Sequence, residues 1–259
     1  MHPAEIAQTT RAPALDARPV PRRIGLIVLA TDHTSERDFA RMTPFDEVGV
    51  YATRVAYANP TNPANLRAMQ PRLTEAAALI LPDEPLDALC FSCTSASVVI
   101  GDDAVEAALR AAKPGVPVVT PPAAARDGFR ALGVGRISLL TPYTRATTAP
   151  MADYFAGHGL GLASVTCLGF EDDREMARIR PQALVEAAVA ATDARAEALF
   201  VSCTALRSAE IAEAIEAAIG RPVVTSNQAT VWRCLRHCRI DRPFHGHGRL
   251  LHLPAEAGR

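Results

Sequence analysis

The chain has 259 residues, 49% of them hydrophobic and 21% charged, and a formal net charge of −1, which is enough for one large or two small domains with a full core. So even a balance gives no basic surface for nucleic acid or membrane headgroups, and no run approaches the ~18 apolar residues of a membrane span. Six cysteines over this length, without a secretory signal, fit reduced thiols in a cytoplasmic protein rather than a disulfide framework.

Residues 1–22, rich in Pro, Ala and Arg, are expected to be a disordered leader; Glu5 and Asp16 weaken a transit-peptide reading. Residues 24–30 form an apolar run read as the first buried strand, ending in the capping residues Thr31-Asp32-His33-Thr34. A second strand is expected at 49–56, and helical spacing of Leu66, Met69, Leu73, Ala77 and Ile80 predicts one helix over 65–81, stopped by Pro82. The strand at 88–91 leads to Ser92-Cys93-Thr94, followed by a helix at 103–112 with Asp102 as its cap, a short strand at 117–120 and a helix at 121–132. The plan then recurs: strand 136–140, helix 147–156, strand 162–168, helix 181–192, strand 198–201, helix 208–219, strand 222–225 and a closing helix at 227–237.

The recurrence is also literal. Ala88-Leu89-Cys90-Phe91-Ser92-Cys93-Thr94 matches Ala198-Leu199-Phe200-Val201-Ser202-Cys203-Thr204 at five of seven positions, and Pro117-Val118-Val119-Thr120 recurs as Pro222-Val223-Val224-Thr225. The chain therefore reads as α/β: two pseudo-symmetric domains, each with a four-stranded, largely parallel sheet flanked by helices. The boundaries expected are 23–120 for the first domain, completed by 226–250, and 121–225 for the second, with no low-complexity linker between them. Each half ends one strand in a cysteine, where ligands bind in parallel sheets, so Cys93 and Cys203 are expected to face each other across one site.

Two thiols on opposite faces of one carbon form an acid/base pair: one thiolate removes a proton while the other thiol delivers one, or one thiolate adds to a double bond and leaves. A thiol at a helix start, or among backbone N–H groups, is expected to have its thiolate stabilised. Ser92, Thr94, Ser95, Ser202 and Thr204 supply hydroxyls and backbone donors for a carboxylate, or equally for helix caps, and Tyr143 adds a phenol. Asp32 and Asp173 follow strands and fit either a site or a cap. His33 is a weaker acid/base alternative, and His245-Gly246-His247 reads as a solvated tail. Cys90 and Cys93 form a C-x-x-C, but a strand turns them to opposite sides, and no second pair has zinc spacing, so no metal is expected.

These motifs resemble the aspartate/glutamate racemase superfamily, in the branch of maleate isomerases, arylmalonate decarboxylases and ectoine-utilisation proteins. The resemblance covers residues 23–240 and rests on Gly25-Leu26-Ile27-Val28, Ser92-Cys93-Thr94-Ser95, Leu140-Thr141-Pro142-Tyr143, residues 168–179 and Ser202-Cys203-Thr204. It implies a site in the interdomain cleft, no metal or organic cofactor, Cys93 and Cys203 as the catalytic pair, and Thr94, Ser95 and Tyr143 on a substrate carboxylate. By the same resemblance, arylmalonate decarboxylases keep only the second cysteine, and maleate isomerases carry Asn where this chain has Asp32 and Asp173. An amide donates to a second substrate carboxylate, whereas an ionised Asp only accepts, so the two acids suit an amino or amidinium group. Loop 30–39 looks most like the ectoine-utilisation members. The expectation is a cofactor-free racemase, epimerase or isomerase of a small carboxylate in ectoine or hydroxyectoine catabolism, with a homo-oligomer compatible. The alternatives are a maleate cis-trans isomerase and a ligand-binding relative without turnover.

Overall fold

A computed structural model describes residue 4 and residues 6–253. Of the expected leader, residues 6–21 form neither helix nor strand and are mostly exposed, and the remaining positions before residue 6, other than residue 4, lie outside the described residues. Eight strands follow in two sheets: β1 (Arg22–Leu29), β2 (Val48–Val55), β3 (Ala88–Phe91), β4 (Val118–Val119), then β5 (Arg136–Thr141), β6 (Gly161–Cys167), β7 (Ala198–Val201) and β8 (Val223–Thr225). The first sheet has the order β2-β1-β3-β4 and the second β6-β5-β7-β8, so the halves share one topology. Every strand pair is parallel. Equivalent residues occupy equivalent registers, Ile24 beside Ala88 in one sheet and Ile137 beside Ala198 in the other.

The central strands are apolar throughout because helices cover both of their faces. Residues 23–29 of β1 and all of β3 and β7 are buried. Below β7, Phe200 meets Phe155 and Phe129 edge-on at centroid distances of 5.1 and 6.0 Å, each ring worth roughly 1.5–3 kcal/mol on burial. Gly25 serves a close approach: a Cβ there would lie 2.8 Å from Leu89 Cδ1 and 2.9 Å from Leu86 Cδ1. One core cluster runs from Ile24, Leu26 and Val28 of the first half to Ile137 and Leu139 of the second, so the halves are fused.

Several expected helices differ in detail. The single helix at 65–81 is three pieces, Pro63–Arg67, a 3-10 turn Gln70–Arg72 and Leu73–Ala78, because Pro71 has no N–H to continue the ladder. Asp102 is the first residue of helix Asp102–Ala112, not its cap; Gly101 holds that place, and the Asp102 carboxylate accepts from Thr120 (3.3 Å) and Tyr154 (2.7 Å). The helix expected at 208–219 is a 3-10 turn, Ala209–Ile211, followed by Ala212–Ile219. Helices Ser35–Met42, Thr94–Ile100 and Asp173–Met176 add to those expected in the chain-order reading. The closing helix, Ser226–His237, leaves β8 yet packs against β3 and β4 of the first sheet and against helices Pro121–Ala131 and Ser35–Met42. Among the described residues, no helix is long and apolar enough to cross a membrane.

Candidate active site

Parallel strands place their C-terminal ends on one side, and the loops leaving β1, β2, β3, β5, β6 and β7 converge there. They enclose a cavity lined by Cys93 and Cys203 together with Asp32, Tyr57, Thr61, Ser95, Tyr143, Asp173 and Thr204. Its volume is about 20 Å³. The two cysteines thus share one small site.

Cys93 ends the loop from β3 in extended backbone (φ −148°) and caps helix Thr94–Ile100. Its sulfur lies 3.9 Å from Ser95 Oγ and near the Ala96 N–H. Cys203 follows β7 with φ +101°, a region that side-chain-bearing residues rarely adopt and that costs of order 1–3 kcal/mol. Its sulfur accepts the Ala205 N–H at 3.3 Å with the Tyr143 hydroxyl near it, and no helix begins until Ala209. Ser95 stands near the Tyr143 hydroxyl as well. The expected stabilisation of the thiolates is reversed by burial. Burial pushes both thiols up to about 12, with the neighbouring donors pulling the other way and Asp173 adding to the rise at each.

The two acids are built differently. Asp32 Oδ1 accepts the N–H of Thr34 (2.9 Å) and of Ser35 (2.8 Å), and Oδ2 accepts Ser35 Oγ at 2.8 Å. It therefore caps helix Ser35–Met42 and lines the cavity as well, and burial raises its carboxyl against the pull of those bonds. Asp173 is held across the cleft. Asn59 Nδ2 donates to Oδ1 at 2.8 Å, Thr31 Oγ1 donates to Oδ2, and the Asp173 N–H reaches Asn59 Oδ1 at 3.3 Å.

Thr94 and Thr204 differ from Ser95 and Tyr143 in what their hydroxyls do. Thr94 Oγ1 donates to Ser226 Oγ at 2.8 Å and does not line the cavity; Thr204 borders it, but its hydroxyl donates to the Ser92 carbonyl at 3.2 Å. His33 is exposed on a separate open groove. Cys90 packs in a different core cluster from Cys93, so the C-x-x-C spacing does not bring the two sulfurs together. Among the described residues, no three His, Cys, Asp or Glu side chains are grouped for a metal.

Sequence reasoning missed Tyr57, Asn59 and Thr61, which the loop after β2 carries across the cleft. The Tyr57 hydroxyl donates to Thr61 Oγ1 at 2.8 Å, and the Thr61 N–H donates to the Glu171 carbonyl at 2.6 Å. No periodicity marks that loop. Ser226 was missed too, although Thr225 and Gln228 form a capping box that the sequence displays as T-x-x-Q.

Two thiols delivered by matching sheets into one cavity, which hydroxyls and two carboxylates also line, define a thiol-based site on a duplicated α/β frame. The chain belongs to the arylmalonate decarboxylase family, whose model matches residues 52–251. It is 25% identical over 244 residues to a maleate isomerase of Geobacillus stearothermophilus, covering 88% of this chain and 96% of that one. Over 124 residues it is 32% identical to the arylmalonate decarboxylase of Bordetella bronchiseptica, covering 47% and 52% of the two chains. A Nocardia farcinica maleate cis-trans isomerase, solved as a Cys→Ser variant with a covalently bound succinylcysteine intermediate, superposes with a TM-score of 0.80. It is 26% identical, over 89% of this chain and 98% of that one.

Proposed function

We propose that the protein is a cofactor-independent two-thiol racemase, epimerase or isomerase of a small carboxylate carrying an amino or amidinium group, in ectoine or hydroxyectoine catabolism. The observation that carries this is the shared cavity, in which Cys93 and Cys203 from opposite halves stand with Asp32 and Asp173. Ser95 and Tyr143 hold the substrate carboxylate. One thiolate removes the proton from the adjacent carbon and becomes a thiol. The electron pair moves onto the carboxylate, where the same donors stabilise it. The opposite thiol then gives its proton to the other face and becomes the thiolate, so the centre is inverted and protons balance.

The raised thiols favour this substrate class. A cationic nitrogen between the two sulfurs promotes thiolate formation, whereas a dianion adds to the repulsion already supplied by Asp32 and Asp173. The second reading, a maleate cis-trans isomerase, is favoured by the relatives of that name that match nearly full length. In that reading one thiolate adds to the double bond, rotation follows, and the thiolate leaves.

The test is incubation of ectoine in deuterated water, with maleate-to-fumarate conversion measured in parallel. Deuterium entering the carbon next to the ectoine carboxylate, lost by roughly 10³-fold or more in both Cys93→Ser and Cys203→Ser, is expected. Efficient conversion of maleate without exchange into ectoine selects the second reading, and exchange that survives both substitutions removes the two-thiol mechanism.

A further inference from the structure

The two sulfurs sit on different sheets, so their separation is set by whatever bonds cross between the halves behind the cavity. Two crossings are already on the cysteine loops: Thr204 Oγ1 to the Ser92 carbonyl at 3.2 Å, and Thr34 Oγ1 to the Thr204 carbonyl. A further crossing passes through one oxygen. Ser226 Oγ accepts the Thr94 hydroxyl at 2.8 Å and the Cys203 N–H at 2.9 Å. Thr94 directly follows the first thiol, and the second bond holds the backbone of the residue that carries the other. Ser226 itself is fully buried, Thr94 is 1% exposed and Cys203 5% exposed.

Ser226 is suited to this by its place. It opens helix Ser226–His237, whose first turn is already fixed by the Thr225–Gln228 capping box, so its hydroxyl is free for the two loops. The bond to Cys203 also holds the amide of a residue with φ +101°, a conformation that persists only when its surroundings over-determine it. In the first half the position after the repeated Pro-Val-Val-Thr is Pro121, which has no hydroxyl, so the pin exists on one side only.

We infer that Ser226 is the positioning residue that fixes the spacing of the two thiols, tying the Cys93 loop to the Cys203 backbone through one hydroxyl. It touches no substrate. The inference rests on the two-thiol reading of the site, because a fixed spacing matters only if both sulfurs address one molecule.

The experiment compares wild type with Ser226→Ala, Ser226→Thr and Thr94→Val. The first readout is deuterium exchange into ectoine, resolved into kcat and KM. The second is alkylation by iodoacetamide, mapped by peptide mass spectrometry. Ser226→Ala is expected to lower kcat roughly 10- to 100-fold with KM within about threefold. Thr94→Val, nearly isosteric, is expected to lower it less, and the double variant no further than Ser226→Ala alone. Ser226→Thr keeps the hydroxyl and is expected to recover most of kcat. In wild type the first carbamidomethyl group fills the small cavity, so one thiol per chain reacts; Ser226→Ala is expected to let both react. Wild-type kcat in Ser226→Ala, or a fall that Ser226→Thr does not recover while single alkylation persists, overturns the inference. If wild type exchanges no deuterium, the functional reading fails, and the alkylation pattern alone decides for or against the pin.

Discussion

The two cysteine loops come from one sequence pattern and reach one cavity, yet they are built on different physics. Cys93 sits in relaxed extended backbone at the head of a helix, with a backbone N–H and Ser95 near its sulfur. Cys203 sits at φ +101° with no helix behind it, and it draws the Tyr143 hydroxyl and the Ala205 N–H instead. Burial nevertheless brings both thiols to about the same value. Symmetric chemistry needs two groups of similar acidity, not two identical loops, and here burial, the main cause at each, moves both thiols the same way.

The largest effect expected on this comparison is on thiol reactivity with pH. Both thiols are raised from 9.0 to about 12, so alkylation by iodoacetamide should climb close to tenfold per pH unit from 7 to 10 at both positions, with no plateau near 9. The sign for stability follows. The folded state holds these protons more tightly than the unfolded chain, so their contribution is intact below about 9 and is lost as pH rises toward about 12. A plateau at one cysteine alone would break the match.

Backbone strain should separate the loops next. At position 203 Gly should be more stable than Ala by about 1 kcal/mol, because only Gly accepts that φ freely. At position 93, an N-cap with no such strain, the gap should shrink to about 0.5 kcal/mol. Denaturant midpoints of Cys203→Gly, Cys203→Ala, Cys93→Gly and Cys93→Ala measure this with the lost sulfur cancelled within each pair. Equal gaps at both sites would mean the strain is not real.

A third effect probes a strut that serves the second loop. Asn227 Nδ2 donates to the Thr204 carbonyl at 2.9 Å and to Asp38 Oδ2 at 2.7 Å. Burial is the main cause that raises the Asp38 carboxyl to about 6, with Glu210 and Asp32 adding to the rise while Asn227 and Arg37 oppose it. Protonation therefore favours the fold. The stability from Asp38 is complete below its unfolded value of 3.8 and is lost as pH rises through about 6. Asp38→Asn keeps an acceptor for Asn227, so it should flatten urea stability between pH 4 and 6 and add on the order of 1–2 kcal/mol at pH 7. An unchanged profile would place that charge outside the strut's control.

How much of this was legible depends on the range of the interactions. Strands were readable because buried parallel strands are continuous apolar runs, and the doubled Ser-Cys-Thr marked both thiols. The common topology followed from the repeats. What was not readable lies in contacts between distant segments. Asn59 meets Asp173, Ser226 meets Thr94, and no local pattern encodes either meeting. Pro71 was visible in the sequence as a helix breaker, but the apolar spacing around it concealed the break. The state of the thiols was misjudged because a helix start and nearby donors can be seen in a sequence, while burial by distant segments cannot.

The route of the closing helix has a consequence for how such a molecule is assembled. The chain passes from one sheet to the other through Gly133-Val134-Gly135, then sends helix Ser226–His237 back onto β3 and β4. Cut at that crossing, the polypeptide would give two fragments with one cavity thiol each, and the second would carry an arm that packs on the first. Complementation of such fragments would have to proceed by interlocking rather than by docking two finished globules. The Ser226 end of that arm would be the point at which the reassembled site becomes competent.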